Sequence, residues 1–401
     1  MPEFDFDKEI DRRAVPALKV HKMVLGADGM DLFAAGVADM DFAAPPAVLE
    51  AMSRRAAHGV FGYETVPDGL MPALTGWLHT RHGWQVEAAH ILRAPNVLNS
   101  LSMAANLFTD AGDGIIIQPP VFFDFADIIA ENGRRMVSNP LVLRDGRYEM
   151  DFGGLEKLAR EPSTKLLFLC NPHNPVARVW TRAELTRLGK ICRANSVLVV
   201  ADEIHADITF AGHTYTPFAS LSYADALNSI TCLSPAKSFN IAACCSSFTV
   251  VPDAAKREAF QAENSRLTVN KNNAFASVAM QAAYSNGGPW LDAVIDYIHG
   301  NLDLVRSLVA GLEGVELIEP EGTFLLWLDF RALGLTPDAL TAFLRQKVGW
   351  AVTRGQSFGA EGQGFARLNI ACPRARLNAA LQQLSKAVMA HTTPTLSGDL
   401  Q

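Results

Sequence analysis

Between residues 47 and 320, short apolar runs alternate with stretches of helical periodicity, and that alternation limits the folds open to the chain. The runs at 115–118, 166–170, 197–201, 229–233 and 246–251 have the length and branched apolar content of buried strands. Residues 120–132 and 181–194 carry helical spacing instead. Strands separated by helices build a mainly parallel sheet covered on both faces. Ligands of such α/β sheets bind beyond the carboxyl ends of the strands. Asn171, Asp202 and Lys237 follow three of these runs, so the topology draws an amide, a carboxylate and an amine toward one crevice.

The chain has 401 residues, more than one core usually encloses, so two domains are expected. Residues 1–45 read as an extended segment packing with a small domain, and Pro45-Pro46 opens a helix. Residues 46–290 form the large domain. After Gly322 the pattern changes: strands at 324–330 and 365–371 with a helix at 337–347 imply a smaller α+β domain over 291–401. The polar residues 391–401 are expected to fray.

Hydrophobic content of 49% against 19% charged residues fits a globular enzyme with a large core. Net charge is −7 without a basic stripe, which argues against nucleic acid or an anionic membrane as partner. The six cysteines lack CxxC spacing and read as free thiols in a reducing compartment. The N-terminus is acidic and lacks an apolar signal core, and no apolar run reaches the roughly 18 residues of a membrane span. A cytoplasmic location is expected.

A lysine beside a strand end, flanked by hydroxyls and Phe239, is suited to forming an imine with an aldehyde once desolvated. Pyridoxal 5'-phosphate would need that lysine, an anion for its ring nitrogen, a donor to its ring oxygen, a stacking surface and a phosphate cradle. Lys237 supplies the imine and Asp202 the anion, because a buried carboxylate favours a cationic partner. Asn174 can donate to the ring oxygen, with His205 assisting from three residues beyond Asp202. Phe122 and Ile204 offer the two stacking faces. The helix start at Asn96-Val97-Leu98 and the Ser234 hydroxyl form the cradle, since free N–H groups at a helix N-terminus attract anions. Arg367, a charge inside an apolar strand, suits a bidentate clamp on a substrate carboxylate.

Rival chemistries fit less well. Ser234-x-x-Lys237 also matches a serine–lysine acyl-transfer motif, but no lysine here precedes Ser/Thr-Gly. Gly359-x-x-Gly362-x-Gly364 reverses the dinucleotide-binding spacing. His205 and His213 lack the spacing of a metal-binding helix, so no metal is expected.

On these residues the chain resembles fold-type I pyridoxal-phosphate enzymes of the class I/II aminotransferase superfamily, and within them the cystathionine β-lyase branch. The resemblance runs from about residue 4 to 390. Its motifs are Val37-Ala38-Asp39-Met40-Asp41-Phe42, Phe61-Gly62-Tyr63, Gln118-Pro119-Pro120-Val121, Asn171-Pro172-His173-Asn174-Pro175-Val176, Asp202-Glu203-Ile204-His205-Ala206-Asp207, Ser234-Pro235-Ala236-Lys237-Ser238-Phe239-Asn240, Pro320-Glu321-Gly322-Thr323 and Arg367-Leu368-Asn369-Ile370-Ala371. It implies a homodimer with shared active sites, Tyr63 reaching the phosphate of the partner subunit's cofactor, and Ala38 beside the substrate. It further implies that Lys237, once released, removes the α-proton of an S-substituted cysteine, so that a thiolate leaves and pyruvate and ammonia follow. An aminotransferase, or a biosynthetic enzyme processing a bulky S-cysteine conjugate, would use the same apparatus. Gly36, Asn96, Asn99, Phe122, Ala177 and Ala243-Cys244-Cys245 depart from the family pattern, and these positions border the expected pocket.

Overall fold

The computed structural model describes residues 4–26, 31–269 and 271–393. The chain divides into two units, a larger one of residues 43–295 with 320–323 and a smaller one of the segments up to 42, 296–319 and from 324 onward. The division at 295/296 falls inside the single helix Gly288–Val309, whose unbroken periodicity leaves no mark of a boundary in the sequence. Residues 320–323 join the larger unit through Glu321, which accepts hydrogen bonds from Arg178 and Arg147 at 2.9 Å each. Next to it, Gly322 runs so close to Ile208 that a Cβ would meet its carbonyl oxygen at 2.6 Å.

The larger unit is an α/β domain built on a seven-stranded sheet. Its order is Ile91–Ala94, Ser247–Val250, Ser229–Leu233, Leu198–Asp202, Thr164–Cys170, Gly114–Ile117, Arg135–Ser138. The last five of these run parallel, as expected. Ser247–Val250 pairs antiparallel with both its neighbours. Every residue of Leu198–Asp202 and Ser229–Leu233 is buried, the mark of strands covered on both faces. Leu101 from the helix Val97–Phe108 packs with Phe125, Phe168, Val200 and Ile230 in one core. Each such side chain contributes about 1.5–3 kcal/mol by leaving water.

Two expected helices differ in extent. The first starts at Asp124 and not at residue 120, with Phe123 as its N-terminal flanking residue. Phe122 is thereby left in a loop. The second is α-helical over Pro337–Ala342 and continues in wider π turns over Phe343–Val348.

The smaller unit holds a four-stranded antiparallel sheet ordered Glu316–Ile318, Leu325–Asp329, Phe365–Asn369, Thr353–Arg354. The helix Arg374–Thr392 buries Leu377, Leu381, Leu384 and Val388, one apolar stripe at three- and four-residue spacing. The expected fraying at 391–401 lies largely outside the described residues. Phe33–Ala34 pairs in parallel with Trp350–Ala351, so the N-terminal segment adds its own short ladder to this unit.

Candidate active site

Strand register places the key groups of the larger unit. Asp202 lies level with Cys170 on one side and Cys232 on the other. The ladder then runs past the strands, with the Asn171 N–H donating to the Asp202 carbonyl at 3.0 Å and the Glu203 N–H to the Cys232 carbonyl at 3.0 Å. Asp202 is buried and accepts a hydrogen bond from the Ile204 N–H at 3.1 Å. Burial pushes its carboxyl pKa up to about 6, although the Ile204 N–H and the positive charge of Lys237 pull the other way. That is a carboxylate short of counter-charge. Lys237 is half-buried, and its charge also acts on Asp124 and Cys245.

Asn174 is buried in the loop after Thr164–Cys170, with its N–H donating to Cys170 Sγ at 3.4 Å. The loop closes through His173 N–H to the Arg178 carbonyl and Ala177 N–H to the His173 carbonyl, both 2.8 Å. His173 Nε2 contacts the Pro120 carbonyl at 3.0 Å, and burial holds this imidazole down at about 4, so it stays neutral. His205 is buried in the turn after Asp202.

Asn96 caps Val97–Phe108 by accepting from the Asn99 N–H at 2.8 Å, which leaves the Val97 and Leu98 N–H groups as first-turn donors without an intrahelical acceptor. An Asn in place of the family's glycine thus keeps the helix start. Leu98, Phe122 and Ile204 pack on the edge of one apolar core while remaining partly exposed, as a stacking surface must. Ser234 Oγ donates to the Ser246 carbonyl at 3.0 Å and accepts from the Ala236 N–H at 3.2 Å.

Beneath Lys237 lies a network that motif reading missed. Asp207 is buried and accepts from Trp77 Nε1 at 2.9 Å, His82 Nε2 at 2.8 Å and Ser238 Oγ at 2.5 Å. Burial alone would raise the Asp207 pKa, but His82, Ser238 and Trp77 outweigh it and hold it below the usual value. His82 also meets Tyr215 edge-on at 4.9 Å, and Tyr215 donates to buried Glu203. Glu203 in turn accepts from Phe218 N–H at 2.9 Å and Asn171 Nδ2 at 3.4 Å, and burial lifts it to about 7. Asp124, one residue past Phe123, is a second carboxylate within electrostatic reach of Lys237 that motif reading passed over.

In the smaller unit, Arg367 is buried in Phe365–Asn369 and donates from Nη2 to the Gly36 carbonyl at 2.6 Å and to Thr353 Oγ1 at 3.2 Å. Its guanidinium lies 4.9 Å from the Phe358 ring, and burial lowers its pKa to about 9. Ala38 is held by Asn369 Nδ2, which donates to the carbonyls on either side of it, Val37 at 2.7 Å and Asp39 at 2.6 Å. Asp41 is in turn fixed by Lys19 at 3.0 Å and Arg12 at 2.9 Å. Tyr63, in the larger unit, is fully exposed beside exposed Val60 and Phe61.

The class I and II aminotransferase profile matches residues 30–384. The chain belongs to that family. Among class I and II aminotransferase relatives it is 41% identical over 385 residues to cystathionine β-lyase PatB of Bacillus subtilis, covering 96% of this chain and 100% of that protein. It is 31% identical over 391 residues to MalY of Escherichia coli, covering 96% and 99%. Cystalysin of Treponema denticola, which contains pyridoxal 5'-phosphate, matches with a TM-score of 0.91 at 31% identity over 97% of this chain and 99% of that one. The family resemblance seen in the motifs therefore holds over nearly the whole chain.

Proposed function

We propose that the chain is a pyridoxal 5'-phosphate-dependent carbon–sulfur β-lyase, cleaving cystathionine or a related S-substituted cysteine to a thiol, pyruvate and ammonia. Asp202 carries this reading: a buried carboxylate, short of counter-charge, level between two strand ends and within the field of Lys237. A pyridinium N–H is the partner such a group fits. The whole-length likeness to PatB, named a cystathionine β-lyase, supports the same activity here.

When bound, the cofactor supplies an electron sink for negative charge at the substrate α-carbon. The chain's own residues do the rest. Lys237 Nζ would hold the cofactor and, once free, would take the substrate α-proton. Asp202 keeps a proton on the ring nitrogen, with His205 beside it. Asn174 would donate to the ring oxygen, and Phe122 and Ile204 would flank the ring. Val97 and Leu98 N–H would hold the phosphate, joined by Ser234 once its hydroxyl turns from the Ser246 carbonyl. Arg367 clamps the substrate α-carboxylate, with Ala38 alongside.

The same reading makes the enzyme a homodimer, with Tyr63 of each subunit reaching the other's cofactor phosphate. The exposed stretch Val60, Phe61 and Tyr63 supports it, since large apolar side chains gathered on a surface mark an interface. Free thiols at all six cysteines suit a cytoplasmic, reducing location.

Purified protein is expected to be yellow, with borohydride fixing the cofactor onto Lys237, and Lys237→Ala is expected to lose that attachment. Cystathionine is expected to give pyruvate without an added keto acid. Product formed only when a keto acid is supplied would replace the lyase with an aminotransferase.

A further inference from the structure

The larger unit holds a cavity of about 530 Å³ beside the start of the helix Val97–Phe108. Arg93, Lys271, Asn264, Ser246 and Cys245 are on its wall, and no Asp or Glu is among its described lining residues. Two helices begin there. Pro95 precedes the Asn96 cap of the first, and Asn273 caps Ala274–Asn286 by accepting from the Ala276 N–H at 3.0 Å. Each helix start carries about half a positive charge.

Arg93 is half-buried and donates to Asn272 Oδ1, a neutral acceptor that leaves the guanidinium charge uncancelled, and burial pulls its pKa down. Asn264 is only 6% exposed, and its Oδ1 has no hydrogen-bond partner. Its amide can donate or accept once turned, so it offers a ligand a second polar contact. Two cations and two helix starts without a facing carboxylate form a field that an anion satisfies and a neutral ligand does not.

We propose that this cavity is an anion site for the distal carboxylate of the substrate, in which Arg93 binds the carboxylate oxygens and Asn264 gives the second contact. The identity of the ligand rests on the lyase reading: Cys245 Sγ lies 3.6 Å from Ser234 Oγ, which joins the cavity to the phosphate end of the cofactor. The anion is therefore the distal carboxylate of an S-conjugate such as cystathionine, since the cofactor phosphate is assigned to the Val97 and Leu98 N–H groups.

Arg93→Gln holoenzyme tests the assignment. Its cofactor dissociation constant is read by spectral titration, and its KM is read with cystathionine, which has a distal carboxylate, and with S-methylcysteine, which has none. Loss of one charged hydrogen-bonding contact corresponds to about 10-fold or more in binding. A rise of that size in KM for cystathionine alone assigns the site to the distal carboxylate. A similar rise in the cofactor dissociation constant, with both substrates affected, would overturn the distal-carboxylate assignment. Inorganic phosphate, at fixed ionic strength, is also expected to raise the melting temperature of the wild type more than that of Arg93→Gln. Wild-type values of all three quantities in folded, yellow Arg93→Gln would overturn the anion site while leaving the lyase reading intact. A colourless wild type with the phosphate shift present would do the reverse. If Arg93→Gln does not fold, Lys271→Gln, at an exposed position, takes its place with a shift of about 3-fold; wild-type behaviour there overturns the site equally.

Discussion

Asp202 is buried within the field of Lys237, and its raised pKa has a consequence for stability. An Asp with a folded value of about 6 and an unfolded value of about 3.9 binds its proton more tightly when folded. The group therefore costs nothing below pH 4, and the cofactor-free fold loses stability as pH rises from about 4 to 6, by about 3 kcal/mol in all. Asp202→Asn removes that cost. Without cofactor, the variant is expected to have a higher urea midpoint than the wild type at pH 8 and an equal one at pH 4. With cofactor it is expected to lose about 100-fold or more in pyruvate formation, because the ring nitrogen loses its anion. A midpoint difference independent of pH would show that the carboxylate is not desolvated as described. Ala177 carries a different local cost. Its φ of +55° lies in the left-handed region, where an L side chain costs about 1–2 kcal/mol. Hydrogen bonds from the Glu321 and Gly322 N–H groups to its carbonyl, at 2.9 and 3.2 Å, hold it there. Ala177→Gly, which restores the family residue, is expected to stabilise the protein by about 0.5–1 kcal/mol after the extra freedom of the unfolded glycine is subtracted. The change in urea midpoint measures it.

At the scale of elements, Asp207 ties the helix Leu70–His82 to the turn bearing Lys237, through Trp77, His82 and Ser238. Ser238→Ala removes a hydrogen bond to a buried charge and is expected to cost about 1.5–3 kcal/mol by urea denaturation. An effect under 0.5 kcal/mol would mean that the bond adds nothing net. This network explains what the sequence made legible and what it did not. Asn171, Asp202 and Lys237 stood out because each followed an apolar run, and strand polarity alone sends such residues to one edge. Trp77 and Asp207 are 130 positions apart, and neither position carries a local signal of the other. The Ser247–Val250 strand was legible as a strand, yet its antiparallel direction was not, since alternation and burial look the same in either sense. Ile91–Ala94 and Arg135–Ser138 escaped for another reason: each is four residues long, the first broken by Arg93 and the second leaving only two apolar residues between Arg135 and Ser138. The late start of the helix at Asp124 was not readable from Pro119-Pro120, because the pair Pro45-Pro46 opens its helix at once, and that start leaves Phe122 in a loop.

At the scale of the whole molecule, the exposure of Tyr63 separates a shared active site from a self-contained one. Tyr63 has no cover from its own chain, as the proposed role at a partner's cofactor requires. If Tyr63 serves the partner's cofactor, Lys237→Ala and Tyr63→Ala are each defective alone but complement each other in a mixed dimer. Of the two sites in such a heterodimer, one combines both lesions and the other has neither. Random reassociation of equal amounts gives half heterodimers, so about a quarter of wild-type sites should return, following the twofold symmetry of an isologous dimer. Pyruvate formation after unfolding and co-refolding the two variants measures the recovery. Activity no higher than the mean of the separately refolded variants would mean that each active site is completed within one chain, and the exposed stretch at Val60, Phe61 and Tyr63 would then need a different partner.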